Sequence, residues 1–260
     1  MTQTQTLKVA AIQCDIEWES IALNIQRAED LVRLSDAELV IFPEMFATGF
    51  SMSSSKISQR EDQSIVTAMH SLAVSEGKAI IFSAAIQEGE KFFNRLYFIT
   101  PEGEIHRYDK RHLFRMAGEH ENYSAGTQRL IVEYKGFRIC PLVCYDLRFP
   151  VFSRGADTYD LLIYIASWPD ARSYAWNTLL RARAIENQSY TIGVNRIGDD
   201  PKNHYDGNTV ILDFLGKPIV EALRDTEHTI TAELSLEQLR TFRENFAAHK
   251  DADKFTITSL

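Results

Sequence analysis

Three reactive side chains stand where segments that read as buried strands end. Glu44 follows ELVIFP, Lys110 follows IHRYD, and Cys144 follows ICPLV. At the carboxyl ends of strands in an α/β protein, side chains from distant parts of the chain can face one pocket. A thiol with an ordinary pKa of about 8.5 is mostly protonated at neutral pH and needs a base to become an efficient nucleophile. A carboxylate in apolar surroundings titrates closer to neutrality, so Glu44 is the candidate base for Cys144. Lys110 can then stabilise negative charge on a carbonyl oxygen, joined by the Tyr145 backbone N–H if the chain turns into a helix there. Such a set performs acyl transfer on an amide: thiolate attack, loss of ammonia, a thioester on Cys144, and hydrolysis by water activated through Glu44. The chemistry requires no metal and no other cofactor.

Taken singly, each residue has a plainer reading. A cysteine in an apolar strand is a small buried hydrophobe, and Cys14 and Cys140 are read that way. Cys140 and Cys144 are spaced C-x3-C, unlike the C-x-x-C of redox and zinc motifs. Glu44 alone would serve as a helix-cap partner, and Lys110 alone as a solvated charge. His106, His112 and His120, near Asp109 and Glu119, lack a metal-ligand spacing, and no glycine motif for nucleotide phosphates occurs.

The elements that must position these residues alternate. Runs at 7–14, 37–44, 78–87 and 95–100 read as strands. Residues 21–35 place Ile21, Leu23, Ile25, Ala28, Leu31 and Val32 near helical spacing, and 61–77 puts Ile65, Met69, Leu72 and Ala73 on one face before a stop at Gly77. TPEGE at 100–104 is a turn, so 95–110 is expected as a hairpin whose second arm ends at Lys110. The second half repeats the theme: strands at 137–143, 160–167 and 190–196, a helix at 173–188, hairpin arms at 208–213 and 217–222, a strand at 227–234 and a helix at 235–247. Loops at 45–60 and 111–129 are longer than the rest and are candidate walls of a site.

A chain of 260 residues, 45% of them hydrophobic, can bury one large core. With no low-complexity linker, 1–260 reads as a single layered α/β domain with 250–260 as a C-terminal tail. The net charge of -8 offers no electrostatic grip on nucleic acid or an anionic membrane, which favours a small-molecule ligand. MTQTQTLKV has neither the basic segment nor the apolar stretch of a leader, and no apolar run approaches the roughly 18 residues that span a bilayer. A cytoplasmic location with three free thiols is the expectation.

IFPEMFATGF, YDKRHLF and LVCYDLRFP, in that order, resemble the glutamate, lysine and cysteine motifs of the nitrilase superfamily of carbon-nitrogen hydrolases. ASWPDARSYAWNTLLRARAIENQSYTIGVNRIG at 166–198 is similar to the loop, helix and strand that follow the cysteine there, so the resemblance spans about 7–235. It implies that Glu44 is the general base, Lys110 the oxyanion donor and Cys144 the nucleophile. It further implies a second glutamate that orients the lysine: Glu119, seven residues before Gly126, with Glu121 as the alternative. The implied fold is a four-layer αββα sandwich, two central sheets flanked by helices, that assembles into a homodimer or larger homo-oligomer. The helix at 173–188, carrying Arg181, Arg183, Glu186 and Asn187, would then lie near the subunit contact, where buried charges need partners; a solvated charged face is the alternative.

Within the superfamily, FPEMFATGFSM, KRHLFRMAGEHENYSAG and ASWPDAR are most similar to the bacterial omega-amidases. That implies hydrolysis of the side-chain amide of 2-oxoglutaramate or 2-oxosuccinamate to the dicarboxylic keto acid and ammonia. Such a substrate carries a carboxylate, which in an acidic protein needs a local cation. Arg148 and Arg172 are the candidates, with Phe50, Met116, Tyr145 and Trp168 as walls; the alternative for Arg148 is an internal ion pair with Asp146 or a nearby acid. An N-carbamoyl amide or a nitrile is the rival substrate. A non-catalytic nitrilase-like binding protein is the rival to an enzyme, opposed by the intact Glu44, Lys110 and Cys144.

Overall fold

A computed structural model of the chain describes residues 5–155 and 158–257. The extreme polar start, 1–4, and the end of the expected tail, 258–260, lie outside the described residues.

Strand and helix alternate as the apolar periodicity predicts. The first half runs β1 (Thr6–Gln13), α1 (Ile21–Leu34), β2 (Leu39–Ile41), α2 (Ser54–Ile57), α3 (Ser64–Glu76), β3 (Ala79–Glu88), β4 (Lys91–Ile99), β5 (Ile105–Asp109) and α4 (Glu119–Asn122). The second half runs β6 (Val132–Tyr134), β7 (Phe137–Val143), α5 (Pro150–Ser153), β8 (Leu161–Ala166), α6 (Ser173–Asn187), β9 (Tyr190–Asn195), β10 (Ile197–Asp199), β11 (His204–Asp206), β12 (Val210–Leu212), β13 (Pro218–Glu221), β14 (His228–Ser235) and α7 (Leu236–Asn245). One six-stranded sheet has the order β14-β1-β2-β3-β4-β5, and the other β13-β12-β9-β8-β7-β6. Each has a parallel three-stranded centre with antiparallel flanks. β14 returns from the second half to pair with β1, binding the two halves of the chain together.

The layers follow from which face of each strand is apolar. Leu7, Val9, Leu39, Ile41, Ile81 and Phe98 of the first sheet share one buried cluster with Ile139, Leu161, Ile163, Ile165, Ile192 and Val194 of the second, so the sheets pack face to face. The alternate residues of the first sheet, Ala10, Ile12, Val40, Phe42, Ile80 and Phe82, lie under Ile25, Ala28 and Val32 of α1 and Ile65, Met69 and Leu72 of α3. α6 covers the outer face of the second sheet through Trp176, Leu180 and Ala184. A Cβ at Gly193 would stand 2.3 Å from Leu180 Cδ1 and 2.8 Å from Trp176 Cζ2, so only glycine lets α6 come this close to β9. The arrangement is the expected αββα sandwich. Among the described residues, no helix is long and apolar enough to cross a membrane.

Departures from the sequence reading are local. β2 covers three residues rather than the eight of 37–44, because Pro43 brings no N–H to continue a ladder. α3 starts at Ser64, not at 61, because Arg60 and Gln63 close a turn ahead of it. β6 and the β10–β11 hairpin were not anticipated. All three strands are three residues long, too short to show a period.

Candidate active site

Four buried polar side chains meet where strands of both sheets end. Glu44 lies three residues beyond β2, and the left-handed turn after it, with Met45 at φ 49°, is pinned by Met45 N–H donating to Ser83 Oγ at 2.9 Å. Lys110 follows β5 directly. Its backbone N–H donates to Asn94 O and its carbonyl accepts from Gly126 N–H, both at 3.0 Å. A Cβ at Gly126 would fall 2.1 Å from Asp109 O, so the returning loop can pass this close only with glycine. Cys144 follows β7 and opens a 3-10 turn, Cys144–Arg148, from a left-handed φ of 46°. A non-glycine residue in that conformation is strained and persists only where its surroundings hold it.

Asp146 supplies the hold. Its Oδ2 accepts from Val143 N–H at 3.0 Å and Tyr108 O–H at 2.7 Å, while Oδ1 accepts from His112 N–H at 3.1 Å and lies 2.7 Å from His112 Nδ1. The His112 ring stacks on Phe149 with centroids 3.9 Å apart. Arg183, buried in α6, donates to Leu147 O at 2.6 Å and anchors the far end of the same turn. Its partner is thus within the chain, and so is that of Asn187, whose Oδ1 accepts from Gly155 N–H at 3.1 Å.

The polar centre is tightly knit. Lys110 Nζ donates to Glu44 Oε1 at 2.8 Å and to both oxygens of Glu119 at 3.0 Å. Glu119 also accepts from Phe114 N–H at 2.5 Å, and Glu44 Oε2 accepts from Ser167 N–H at 2.9 Å. Glu44, Lys110 and Glu119 are wholly excluded from solvent, and Cys144 is 9% exposed. Cys144 Sγ lies 4.0 Å from Ser167 O, so Ser167 at the end of β8 touches both thiol and carboxylate. Of the two candidate second glutamates, Glu119 reaches Lys110; Glu121 is exposed, with Oε1 3.8 Å from His120 Nε2.

Charge and burial set the protonation states. Burial by itself would strip the proton from Lys110, but Glu119 and Glu44 outweigh it and hold the ammonium. Burial, and then the charge of Glu44, push the Cys144 thiol well above its ordinary range, with Lys110 opposing. Glu119 is raised by burial and by Glu44 against the pull of Lys110. The resting site therefore holds a neutral thiol, and its proton must move as the sulfur attacks. Cys140 is buried, as read, whereas Cys14 is only partly buried against the outer cluster of the first sheet; burial pushes both thiols up to about 12.

Cys144 forms part of the floor of a cavity of about 230 Å³. Every expected wall residue lines it: Phe50, Met116, Tyr145, Arg148, Trp168 and Arg172. The two long loops both contribute and are joined by Tyr123 O–H donating to Ser51 O at 2.7 Å. Arg148 does not pair with Asp146, whose oxygens are taken by Tyr108, His112 and Val143; its guanidinium lies 5.0 Å over the Trp168 ring. Arg172 lies similarly over Phe114 at 5.2 Å. Among the described residues neither arginine is ion-paired, and Lys202, a further cation at the cavity, is likewise without a carboxylate partner.

Several site residues escaped sequence reasoning. Lys202, Asn203 and Tyr205 come from the unanticipated β10–β11 hairpin, and Asn94 and Ser167 touch the catalytic candidates directly. Only Asn94 left a signal, a polar residue on an apolar strand.

Residues 8–244 match the carbon-nitrogen hydrolase family. The chain belongs to that family. As a carbon-nitrogen hydrolase it is a hydrolase of the nitrilase superfamily. It is 45% identical to omega-amidase YafV of Yersinia enterocolitica, over 97% of this chain and 99% of that one. It is 30% identical to a 2-oxoglutaramate amidase of Bacillus subtilis, over 95% and 97%. Its fold superposes, with a TM-score of 0.94 and 41% identity, on XC1258 of Xanthomonas campestris, a CN-hydrolase superfamily protein crystallised with an arsenic adduct in its active site; the match covers 97% of this carbon-nitrogen hydrolase and 99% of that chain.

Proposed function

We propose that this protein is an omega-amidase that converts 2-oxoglutaramate or 2-oxosuccinamate to the dicarboxylic keto acid and ammonia, with Cys144 as nucleophile, Glu44 as general base, Lys110 as oxyanion donor and Glu119 holding Lys110. The observation that carries this reading is the meeting of a thiol, two carboxylates and an ammonium beside one aromatic cavity that two unpaired arginines also line. The similarity to named omega-amidases supports the choice of substrate.

The steps follow from the geometry. As Sγ bonds to the amide carbon, the thiol proton passes to Glu44. The carbonyl oxygen becomes anionic and meets Lys110 Nζ and the Tyr145 N–H, one of the N–H groups at the start of a helical turn; one such donor is worth about 3–4 kcal/mol. Glu44 gives the proton to the nitrogen, the C–N bond breaks, and ammonia leaves a thioester on Cys144. Water then bonds to the same carbon while passing a proton to Glu44. The C–S bond breaks, the sulfur recovers the proton, and the acid ionises. Its new carboxylate stands beside two glutamates and one lysine, so repulsion favours release.

Arg148 and Arg172 would bind the carboxylate that the substrate already carries. A hydrogen bond to a charged group contributes about 1.5–3 kcal/mol, so removing either arginine should raise KM for the keto-acid amide roughly 10- to 100-fold and affect uncharged amides less. The deciding experiment compares kcat/KM on 2-oxoglutaramate, an N-carbamoyl amino acid and a nitrile, with Cys144→Ala as control. A preference for either rival would overturn the substrate, and full turnover by Cys144→Ala would overturn the mechanism. The reading includes a cytoplasmic homodimer or larger homo-oligomer. Exposed Tyr174 and Ile185 of α6 and Ile219 of β13 supply apolar surface for a second copy, and light scattering measures the mass.

A further inference from the structure

Asn94 lies inside β4 with its side chain fully buried. Its Nδ2 donates to Glu44 Oε1 at 2.7 Å and to Glu119 Oε1 at 3.2 Å, so one amino group bridges the two carboxylates that share Lys110. The same residue's backbone carbonyl accepts from Lys110 N–H at 3.0 Å. Its Oδ1, in contrast, is buried without a hydrogen-bond partner. An orphaned buried acceptor is costly, and an apolar side chain of similar size would fill the space without it. A packing role therefore does not account for asparagine here. The two donors do, because each N–H meets a carboxylate without adding charge.

We propose that Asn94 is a positioning residue for the reaction: with Lys110 it occupies Oε1 of Glu44, so that Oε2, held from one side by Ser167 N–H, keeps its remaining lone pair for the thiol of Cys144. This rests on the assignment of Glu44 as base and Cys144 as nucleophile. The amide faces Glu44 from the loop after β2 and Glu119 of α4, and the other charged and titratable groups around those two carboxylates are Lys110 after β5, Tyr123 just beyond α4, and Cys144 after β7. A hydrogen bond to the ionised form favours that form, so removing the donor makes the carboxylates take up a proton at higher pH. The acid limb of the reaction then moves upward.

The test uses Asn94→Ala and the isosteric Asn94→Asp in the full chain. Two quantities are followed against pH: kcat and KM on 2-oxoglutaramate, and the rate at which iodoacetamide labels Cys144. Asn94→Ala should lower kcat about 10- to 100-fold with little change in KM, and shift the acid limb of both profiles to higher pH. In Asn94→Asp a protonated carboxyl can still donate one hydrogen bond, whereas the ionised form adds a third negative charge and repels Glu44. Activity and labelling should therefore survive at low pH and fall as pH rises, along an alkaline limb absent from wild type and from Asn94→Ala. A wild-type acid limb and kcat in Asn94→Ala would overturn the role, as would an Asn94→Asp profile that tracks Asn94→Ala throughout. Wild-type Cys144 labelling no faster than Cys14 would instead overturn the underlying assignment, and the role with it.

Discussion

Glu119→Gln is the sharpest perturbation of the polar centre. The carboxylate accepts four N–H bonds: Lys110 Nζ on each oxygen at 3.0 Å, Asn94 Nδ2 at 3.2 Å and Phe114 N at 2.5 Å. Glutamine keeps the shape and one oxygen but puts an NH2 where the other stood. Whichever way the amide turns, that NH2 faces Lys110 and either Asn94 or Phe114, donor against donor. Each buried donor left without an acceptor costs about 1–3 kcal/mol, so the fold should lose about 2–5 kcal/mol. At about 2–4 °C per kcal/mol for a chain of this size, Tm should fall by roughly 5–15 °C. Lys110 would also keep only Glu44 as a counter-charge and be drawn onto the base. The rate should drop by about 100-fold or more, the effect of losing one oxyanion donor. Glu121→Gln is the control: an exposed side chain of this kind changes stability by no more than about 0.5 kcal/mol. Thermal unfolding and ammonia release measure both effects. Wild-type kcat in Glu119→Gln, or a loss carried by Glu121→Gln, would refute the reasoning.

Two further outcomes are expected. Asp146→Asn turns acceptors of Val143, Tyr108 and His112 into a donor conflict behind the strained Cys144; labelling of Cys144 by iodoacetamide should slow and unfolding should come about 2 kcal/mol earlier, whereas unchanged labelling would show that the turn needs no such hold. Asp160→Asn breaks a buried pair with Arg243 of α7 and a half-exposed one with Arg138, each at 2.8 Å, and should cost about 3 kcal/mol at neutral pH. Burial alone would raise the Asp160 carboxyl, but Arg138 and Arg243 hold it below its ordinary value. Its stabilisation is therefore present above the unfolded carboxyl pKa near 3.9 and lost as pH falls through the lower folded value. Denaturant titrations should show the gap between variant and wild type closing in acid; a gap of constant size would count against the pairing.

Most strands and helices were legible because their signal is local. Residues 78–87 and 137–143 announce buried strands by composition, Gly77 stops α3 at φ 62°, and TPEGE turns β4 into β5. Glu44, Lys110 and Cys144 each stand at the end of a segment that reads as a strand, and what marked them as one set was the resemblance of their motifs to those of the nitrilase superfamily. Cavity residues such as Arg148 and Trp168 came from motifs adjoining those ends.

The remainder depended on contacts between residues far apart in the chain. Nothing near Asn94 or Ser167 says that both will touch Glu44, 50 and 123 positions away. Residues 197–206 show no strand period, yet buried Arg196, lying 4.6 Å from the Tyr205 ring and donating to Asp15 at 3.0 Å, fixes a hairpin that brings Lys202 to the cavity. The choice of Glu119 over Glu121 likewise needed the fold, because two residues along a single helical turn point in different directions. Periodicity, which depends on neighbours along the chain, determined most of the elements from sequence alone, and the resemblance of three motifs to those of the nitrilase superfamily singled out Glu44, Lys110 and Cys144. The register between strands and the packing of one sheet on the other are non-local, and they alone decided which polar groups meet where the strands of both sheets end.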